Sequence, residues 1–94
     1  MKHDKKTLSG IFLRVKPVLI MVQLLKSESK YASVLAKEVD CTYSHTVRIL
    51  QELKKKELVD FEKKGRLKLV NLTKLGKEIS TYFRDLIKSF EKVK

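Results

Sequence analysis

The sequence predicts a mainly α-helical chain that carries a small β-hairpin, which places it in the α+β class. Apolar residues recur every three or four positions through most of the chain, as they do in helices buried on one face. Between residues 59 and 72 the pattern instead indicates two short strands around a Lys-Lys-Gly-Arg segment. With 94 residues, 43% of them hydrophobic, we expect a single domain over residues 1–94.

The first helix is predicted from a dense run of apolar residues that ends near Leu25. Pro17 lies either in the first turn of this helix or at a kink in a helix that begins near Ser9. Because the run is so apolar, we expect it to form the central helix of the core. A polar connection then leads to a second helix over residues 31–39.

A third helix is predicted over residues 42–56, directly after a short turn. Thr42 suits the N-cap position, because its hydroxyl can accept a hydrogen bond from the first helical turn. The inward face is predicted to consist of Thr46, Ile49, Leu50 and Leu53. The outward face is polar and positively charged, and it contains Tyr43, Ser44, Arg48, Gln51 and Lys55.

The hairpin is predicted over residues 59–72, with its tip in the Lys-Lys-Gly-Arg segment. Its return strand does not alternate cleanly, since Leu67 and Leu69 point one way while Val70 and Leu72 point the other. We therefore expect that this strand is either covered on both faces or interrupted by a bulge.

A last helix, capped by Thr73, is predicted over residues 73–94, after a helix-turn-helix and hairpin over about residues 8–72. Its apolar stripe is too long for so small a core to cover. We expect the same helix of a second copy to cover it, so that the protein is a homodimer. The predicted dimer interface consists of Leu75, Ile79, Tyr82, Phe83, Leu86, Phe90 and Val93.

The charge of the chain predicts a negatively charged partner. Lys and Arg number 22 against 11 Asp and Glu, a net charge of +11, and the excess is spread along the chain rather than concentrated in a tail. This distribution fits a folded basic surface that meets phosphates. The most apolar run, Val18 to Val22, is far shorter than the roughly 20 residues that a membrane span needs, so no membrane partner is expected.

The sequence lacks the patterns that mark enzymes and cofactor sites. Paired catalytic carboxylates, a nucleophile elbow and a phosphate-binding glycine loop are absent. His3, His45 and the single cysteine, Cys41, are too few and too far apart for a metal site. Cys41 has a possible redox role beside a helix N-terminus, but we favour a small apolar residue of the turn. We expect no enzyme, no cofactor and a cytoplasmic location.

The order of these elements resembles the winged helix-turn-helix of the MarR- and ArsR-type transcriptional regulators of prokaryotes. The similarity runs from about Pro17 to Ile79. The residues that carry it are Leu35-Ala36, Leu50 and Leu53, Leu58-Val59, and Leu72-Thr73 with Gly76.

Three positions depart from the pattern of these families. Asp40 replaces the common glycine of the turn, and Glu57 replaces the glycine that ends the third helix in a left-handed conformation. Asp tolerates that backbone better than most residues, whereas Glu57 implies either a different chain exit or strain of about 1 kcal/mol. Thr46 occupies the usual buried aliphatic position, which leaves Val47 ambiguous between the core and DNA.

The resemblance implies that residues 42–56 form a recognition helix in the major groove of double-stranded DNA, and that residues 59–72 form a basic wing on the backbone or minor groove. Base contacts are expected from Tyr43, Ser44, His45, Val47 and Arg48. Contacts to the DNA backbone are expected from Thr42, Gln51, Lys54, Lys55, Lys63, Lys64, Arg66 and Lys68.

Arg48 is the leading candidate for base recognition, because a guanidinium can bridge both acceptors of guanine. The alternatives are a phosphate contact or an ion pair with Glu52 one turn away. The expected function is sequence-specific transcriptional regulation by a nucleoid-associated homodimer. An architectural DNA-binding protein and a protein-interaction module remain alternatives, and nothing in the sequence marks an effector ligand.

Overall fold

Four helices and a three-stranded antiparallel sheet make up the part of the chain that the structure, a computed structural model, describes: residues 14–27 and 29–93. The elements are α1 (Val15–Leu25), β1 (Ser29–Tyr31), α2 (Ala32–Glu38), α3 (Tyr43–Lys55), β2 (Val59–Lys64), β3 (Leu67–Leu72) and α4 (Lys74–Phe90). The predicted α+β class and the order of helices and hairpin are confirmed. The alternative helix start near Ser9 lies outside the described residues.

The helix α1 forms the centre of the core, as predicted. Ile20, Met21 and Leu24 are each no more than 1% exposed, and the helix packs against α2, α4 and β3. Pro17 lies in the first turn of α1. Its missing N–H costs no hydrogen bond there, because the first N–H groups of a helix have no partner within the helix.

The sheet contains one strand more than the hairpin that the sequence predicts. Its order is β1-β3-β2, and β1 pairs antiparallel with β3 from Ser29 opposite Asn71 to Tyr31 opposite Leu69. The predicted polar connection is therefore partly a strand, and the second helix begins at Ala32 rather than at residue 31. A strand of three residues is too short for its alternation to be recognised in the sequence.

The return strand β3 has no bulge. Each residue from Val59 to Lys64 pairs with one residue of β3 in unbroken register. Val70 and Leu72 are buried in the core, whereas Leu67, on the opposite face, is 49% exposed. One face of the strand therefore belongs to the core and the other is only partly covered.

The turn between α2 and α3 is built around a left-handed residue. Asp40 has a φ of 54°. Its N–H donates to the carbonyl of Lys37 at 3.2 Å, and the N–H of Cys41 donates to the carbonyl of Ala36 at 2.9 Å. This pair of hydrogen bonds is the Schellman motif that commonly ends a helix.

The end of α3 repeats the same motif. Glu57 has a φ of 62°, its N–H donates to the carbonyl of Lys54 at 2.9 Å, and the N–H of Leu58 donates to the carbonyl of Leu53 at 3.0 Å. Of the two alternatives predicted for Glu57, the left-handed backbone is therefore the one adopted. A glutamate in this conformation carries a steric cost that glycine avoids.

Thr73 joins the end of α3 to the beginning of α4. Its hydroxyl accepts a hydrogen bond from the N–H of Gly76 at 3.0 Å, as the predicted N-cap, and donates one to the carbonyl of Glu57 at 2.7 Å. The N–H of Thr73 donates to the carbonyl of Leu58 at 3.1 Å. Three hydrogen bonds from one residue therefore fix the direction in which α4 leaves the domain.

The helix α4 ends earlier than predicted. It stops at Phe90 rather than near residue 94, and Val93 lies beyond it in a turn closed by a hydrogen bond from its N–H to the carbonyl of Phe90. The final residues are rich in lysine and contribute few apolar groups that would hold another helical turn against a partner element.

Candidate nucleic-acid interface

The helix α3 is held at its N-terminus by Thr42. The Thr42 hydroxyl accepts a hydrogen bond from the N–H of His45 at 3.2 Å, which confirms the predicted cap. The Thr42 carbonyl accepts a second hydrogen bond, at 2.8 Å, from the hydroxyl of Thr46. Thr46 is fully buried, so this bond satisfies a polar group that would otherwise be costly in the core.

One face of α3 is buried in the core and the other is exposed to solvent. Thr46, Ile49, Leu50 and Leu53 are buried, as predicted. Val47 is half-buried at the border between the two faces, so the helix is not rotated away from the predicted orientation. The exposed residues of α3 include seven that were singled out in the sequence: Tyr43, Ser44, His45, Arg48, Gln51, Lys54 and Lys55.

Arg48 extends from the middle of this face. Within residues 14–27 and 29–93 its guanidinium makes no ion pair, and the predicted alternative of a bridge to Glu52 is not formed. Its five N–H donors therefore have no carboxylate partner among the described residues. The same holds for the hydroxyl of Tyr43, which is 53% exposed and makes no hydrogen bond to the described part of the chain.

The β2–β3 hairpin ends in a two-residue turn made of Gly65 and Arg66. Gly65 has a φ of 64° whereas Arg66 has no positive φ, which is the pattern of a type II′ turn. Lys63 and Lys68 lie directly opposite each other on one face, in the second residue pair from the turn. Like charges in this position repel each other, so an anion between them would stabilise the pair.

Two of the predicted phosphate-binding lysines already contact carboxylates. Lys54 Nζ lies 3.5 Å from Asp60 Oδ1, and Lys64 Nζ lies 3.2 Å from Glu62 Oε1. All four side chains are about half exposed or more, so water screens both pairs strongly. Both lysines can therefore exchange these partners for phosphate at little cost.

An open groove of about 830 Å³ runs between α3, β2 and the first turn of α4. Three residues predicted to contact the DNA backbone, Gln51, Lys54 and Lys55, line one wall. Asp60 and Phe61 line the opposite side. The groove connects the C-terminal half of α3 with the base of the hairpin.

Six of the seven residues predicted for the dimer interface lie on two different faces of α4, and Val93 lies beyond its end. Ile79 and Phe83 pack against the core, and Phe90 is half-buried. The exposed members are Leu75, Tyr82, Leu86 and Val93, of which Tyr82 is 65% exposed. Within α4, the exposed residues Leu75, Tyr82 and Leu86 follow a spacing of seven and four residues, so they form one stripe that could pair with another helix.

Other candidate sites are not formed within the described residues. No group of three or more His, Cys, Asp or Glu side chains in that part of the chain could hold a metal ion. Cys41 is half-buried and packs against the core, as expected for a small apolar residue of the turn. No described helix is both long enough and apolar enough to cross a membrane.

Several solved structures share this architecture. AF1382 from Archaeoglobus fulgidus has a TM-score of 0.82 at 22% identity, over 88% of this chain and 96% of that one. The MarR family transcriptional regulator SPO1453 from Silicibacter pomeroyi DSS-3 has a TM-score of 0.77 at 20% identity, over 90% and 62% of the two chains. The chain has the winged-helix fold of MarR-type regulators.

A third winged-helix structure is nearly the same length as this chain. The transcriptional regulator homologue protein from Pyrococcus horikoshii OT3 matches with a TM-score of 0.70 at 24% identity, over 90% of this chain and 88% of that one. By contrast, the chain spans 62% of the Silicibacter regulator. No protein-family model matches the sequence, and no curated protein sequence matches it.

Two residues that support the winged-helix interface were not predicted from the sequence. Lys16 reaches from α1 to the turn, where its Nζ donates to the carbonyls of Val39 and Asp40 at 2.5 and 2.8 Å. A positive charge at this C-terminal end of α2 also interacts favourably with the helix dipole. The second residue is Phe61, which contacts basic side chains of both α3 and the wing. Both contacts join residues distant in sequence, so no local pattern indicates them.

Proposed function

We propose that the protein is a sequence-specific transcriptional regulator that binds double-stranded DNA as a homodimer. The observation that carries this proposal is the exposed face of α3, which presents Tyr43, Ser44 and Arg48 without partners in the described part of the chain, beside a basic hairpin. A helix exposed on one side and buried on the other has the geometry needed to enter a major groove. The neighbouring structures that are named as transcriptional regulators support the same role.

In this proposal the first turns of α3 read the bases. Arg48 donates to the two acceptors of a guanine, and Tyr43, Ser44 and His45 contact bases or adjacent phosphates. Val47, at the border of the exposed face, contacts a thymine methyl group. Sequence preference then depends chiefly on Arg48, because its paired contact discriminates one base from the other three.

The remaining basic residues supply affinity. Thr42 and Gln51, together with the lysines of α3 and the wing, contact phosphates, and Arg66 at the turn reaches the minor groove. Such contacts carry no sequence information but make binding depend steeply on salt. The residues assigned to this role are Thr42, Gln51, Lys54, Lys55, Lys63, Lys64, Arg66 and Lys68.

A second copy completes the proposed regulator. The exposed stripe of α4 pairs with its counterpart, so that residues 1–94 form one winged-helix domain with α4 (Lys74–Phe90) as the dimer helix. The two recognition helices would then lie about 34 Å apart, in successive major grooves. Such a dimer predicts a two-fold symmetric operator. We place it in the cytoplasm, on the nucleoid.

Selection from a random pool of duplex DNA at about 150 mM salt, followed by sequencing, tests the proposal. Enrichment of a two-fold symmetric motif supports a dimeric site-specific regulator. Tight retention without enrichment favours the architectural alternative, which the dominance of lysine among the basic residues also suits. If the protein retains no DNA, that result contradicts both the site-specific and the architectural function and favours a protein partner.

A further inference from the structure

One aromatic ring contacts two lysines that belong to different elements. Phe61 lies in β2, half-buried at the edge of the core. The Nζ of Lys68, in β3, lies 4.5 Å from the centroid of the Phe61 ring, and the Nζ of Lys54, in α3, lies 5.5 Å from it. Both distances fall within the roughly 6 Å over which a ring attracts a cation.

The strand register explains how Lys68 reaches the ring. Phe61 pairs with Val70, and Lys68 is the next residue of β3 on the same face of the sheet, one step toward the turn. The Lys68 side chain therefore extends along the strand, away from the turn, and lies over the ring. Lys54 approaches from the last turns of α3, where its amino group also contacts the Asp60 carboxylate at 3.5 Å.

This arrangement holds two positive charges close together. The two amino groups lie 5.5 and 4.5 Å from one centroid, so their separation is at most the Debye length at 0.1 M salt, about 10 Å. They therefore repel each other, and the exposed Asp60 carboxylate offsets this repulsion only weakly. The negative face of the ring attracts both amino groups and so offsets more of this repulsion. An anion that contacts both amino groups would remove the repulsion.

We infer that Phe61 is a positioning residue, which holds Lys54 and Lys68 as a two-lysine site for one stretch of DNA backbone. This inference rests on the proposed function. A free lysine side chain samples many rotamers, and ordering it on DNA costs entropy. Contact with the ring restricts the lysine rotamers before DNA binds, which lowers the entropy lost on binding. The same contact links the recognition helix to the wing. The site recognises phosphate, so it contributes to affinity and not to sequence preference.

The substitution that tests this role is Phe61→Leu, which keeps an apolar side chain but removes the ring. Its DNA affinity is measured between 50 and 200 mM salt on the duplex enriched from the random pool, or on the unselected pool if none is enriched. We expect affinity to fall about tenfold and the slope of log affinity against log salt to fall by about 1 to 2, as if one or two phosphate contacts were lost. Sequence preference is unchanged, and Phe61→Tyr retains the wild-type slope.

A matched control separates positioning from packing. Phe83 is also half-buried against the core, and its ring makes no such contact with a basic side chain of the described residues. Phe83→Leu should lower the free energy of unfolding without changing the salt slope. In the DNA-free protein, ring-current shifts of the Lys54 and Lys68 ε-methylene protons, measured by NMR, should be present and should disappear in Phe61→Leu.

The outcomes distinguish this inference from the proposed function. If the wild-type protein binds DNA and Phe61→Leu keeps its affinity and slope, Phe61 only packs and the inference is overturned while the function stands. If the wild-type protein binds no duplex, both fail. If Phe61→Leu does not fold, Lys54→Gln, Lys68→Gln and the double variant replace it. The inference expects the double variant to lose less DNA-binding free energy than the two single variants lose in sum. Strict additivity of these losses overturns the inference.

Discussion

Gly76, in the first turn of α4, lies directly against the backbone of Leu58. A Cβ atom built on Gly76 would be 2.0 Å from the Leu58 carbonyl oxygen and 3.2 Å from a methyl group of Leu72. The same carbonyl accepts the hydrogen bond of Thr73. The close contact determines which face of α4 points inward, and with it which apolar side chains remain exposed.

Gly76→Ala should therefore destabilise the protein strongly. The methyl group meets backbone that cannot move without disturbing the end of α3, so we expect a loss of about 3 kcal/mol in the free energy of unfolding. Urea unfolding followed by circular dichroism measures it. Gly65→Ala is the control: it has a φ of 64° but no atom within 4 Å of an added Cβ, so only backbone strain of about 1 kcal/mol is expected. Equal losses for the two variants would contradict the steric explanation.

Glu57→Gly should stabilise the protein. Glycine relieves the left-handed strain at a position that already has Schellman geometry, for an expected gain of about 1 kcal/mol in the free energy of unfolding. Asp40→Gly should give a smaller gain, because Asp tolerates this conformation better than Glu. The comparison variant is Glu57→Ala, which removes the carboxylate but retains the strain and should change stability little. If Glu57→Ala raised the free energy of unfolding as much as Glu57→Gly, the effect would be due to the lost carboxylate charge and not to relief of strain.

Two buried hydroxyls should respond to removal in opposite ways. Ser80 is fully buried, and its Oγ has no hydrogen-bond partner in the described part of the chain, so Ser80→Ala should be neutral or stabilising by up to about 1 kcal/mol. Thr46→Val removes the bond to the Thr42 carbonyl from an equally buried site and should cost about 1 kcal/mol. Thermal unfolding compares the two, and a large loss for Ser80→Ala would indicate a partner such as a bound water.

Substitutions in α3 and in the wing should separate specificity from affinity. Arg48→Ala should cost about 1 to 3 kcal/mol on the preferred operator and relax selection at one base position. Lys63→Ala should weaken binding to all sequences alike and lower the salt slope by about 1. Competition binding across a panel of single-base operator variants measures both quantities. A uniform loss for Arg48→Ala would mean that its partner is a phosphate.

The exposed stripe of α4 should hold the dimer together. Replacing Tyr82 and Leu86 together by Glu places charge in the proposed interface without touching the core, so we expect monomers with near-wild-type stability of the fold. Lys88→Glu, exposed elsewhere on the helix, should leave the dimer intact. Sedimentation equilibrium at tens of micromolar distinguishes the two states. A monomeric wild-type protein under these conditions would refute dimerisation.

Elements with strong local signals were predicted accurately from the sequence. The hydroxyls of Thr42 and Thr73 mark the starts of α3 and α4 within a residue, and Gly65 marks the turn of the hairpin. The inward face of α3 was also correct, because its apolar residues follow one helical stripe bordered by charge. Local chemistry decides these features, and it is visible in a short window of sequence.

Features that depend on distant residues were not predicted. The strand β1 exists because β3 offers it an edge, and the contacts of Lys16 and Phe61 cross between elements. On α4 the apolar residues form two adjacent stripes, and periodicity alone does not tell which one enters the core. The contact between Gly76 and Leu58 decides that question.

The division of α3 into a sealed and an open face has a consequence for how such a protein changes. Thr46 and Leu50 are fully buried, whereas Tyr43, Ser44 and Arg48 make no hydrogen bond or ion pair with the described residues. Substitutions at such exposed positions usually alter stability by less than about 0.5 kcal/mol. Residues that contact different bases can therefore be introduced there, by mutation or by design, without loss of the fold.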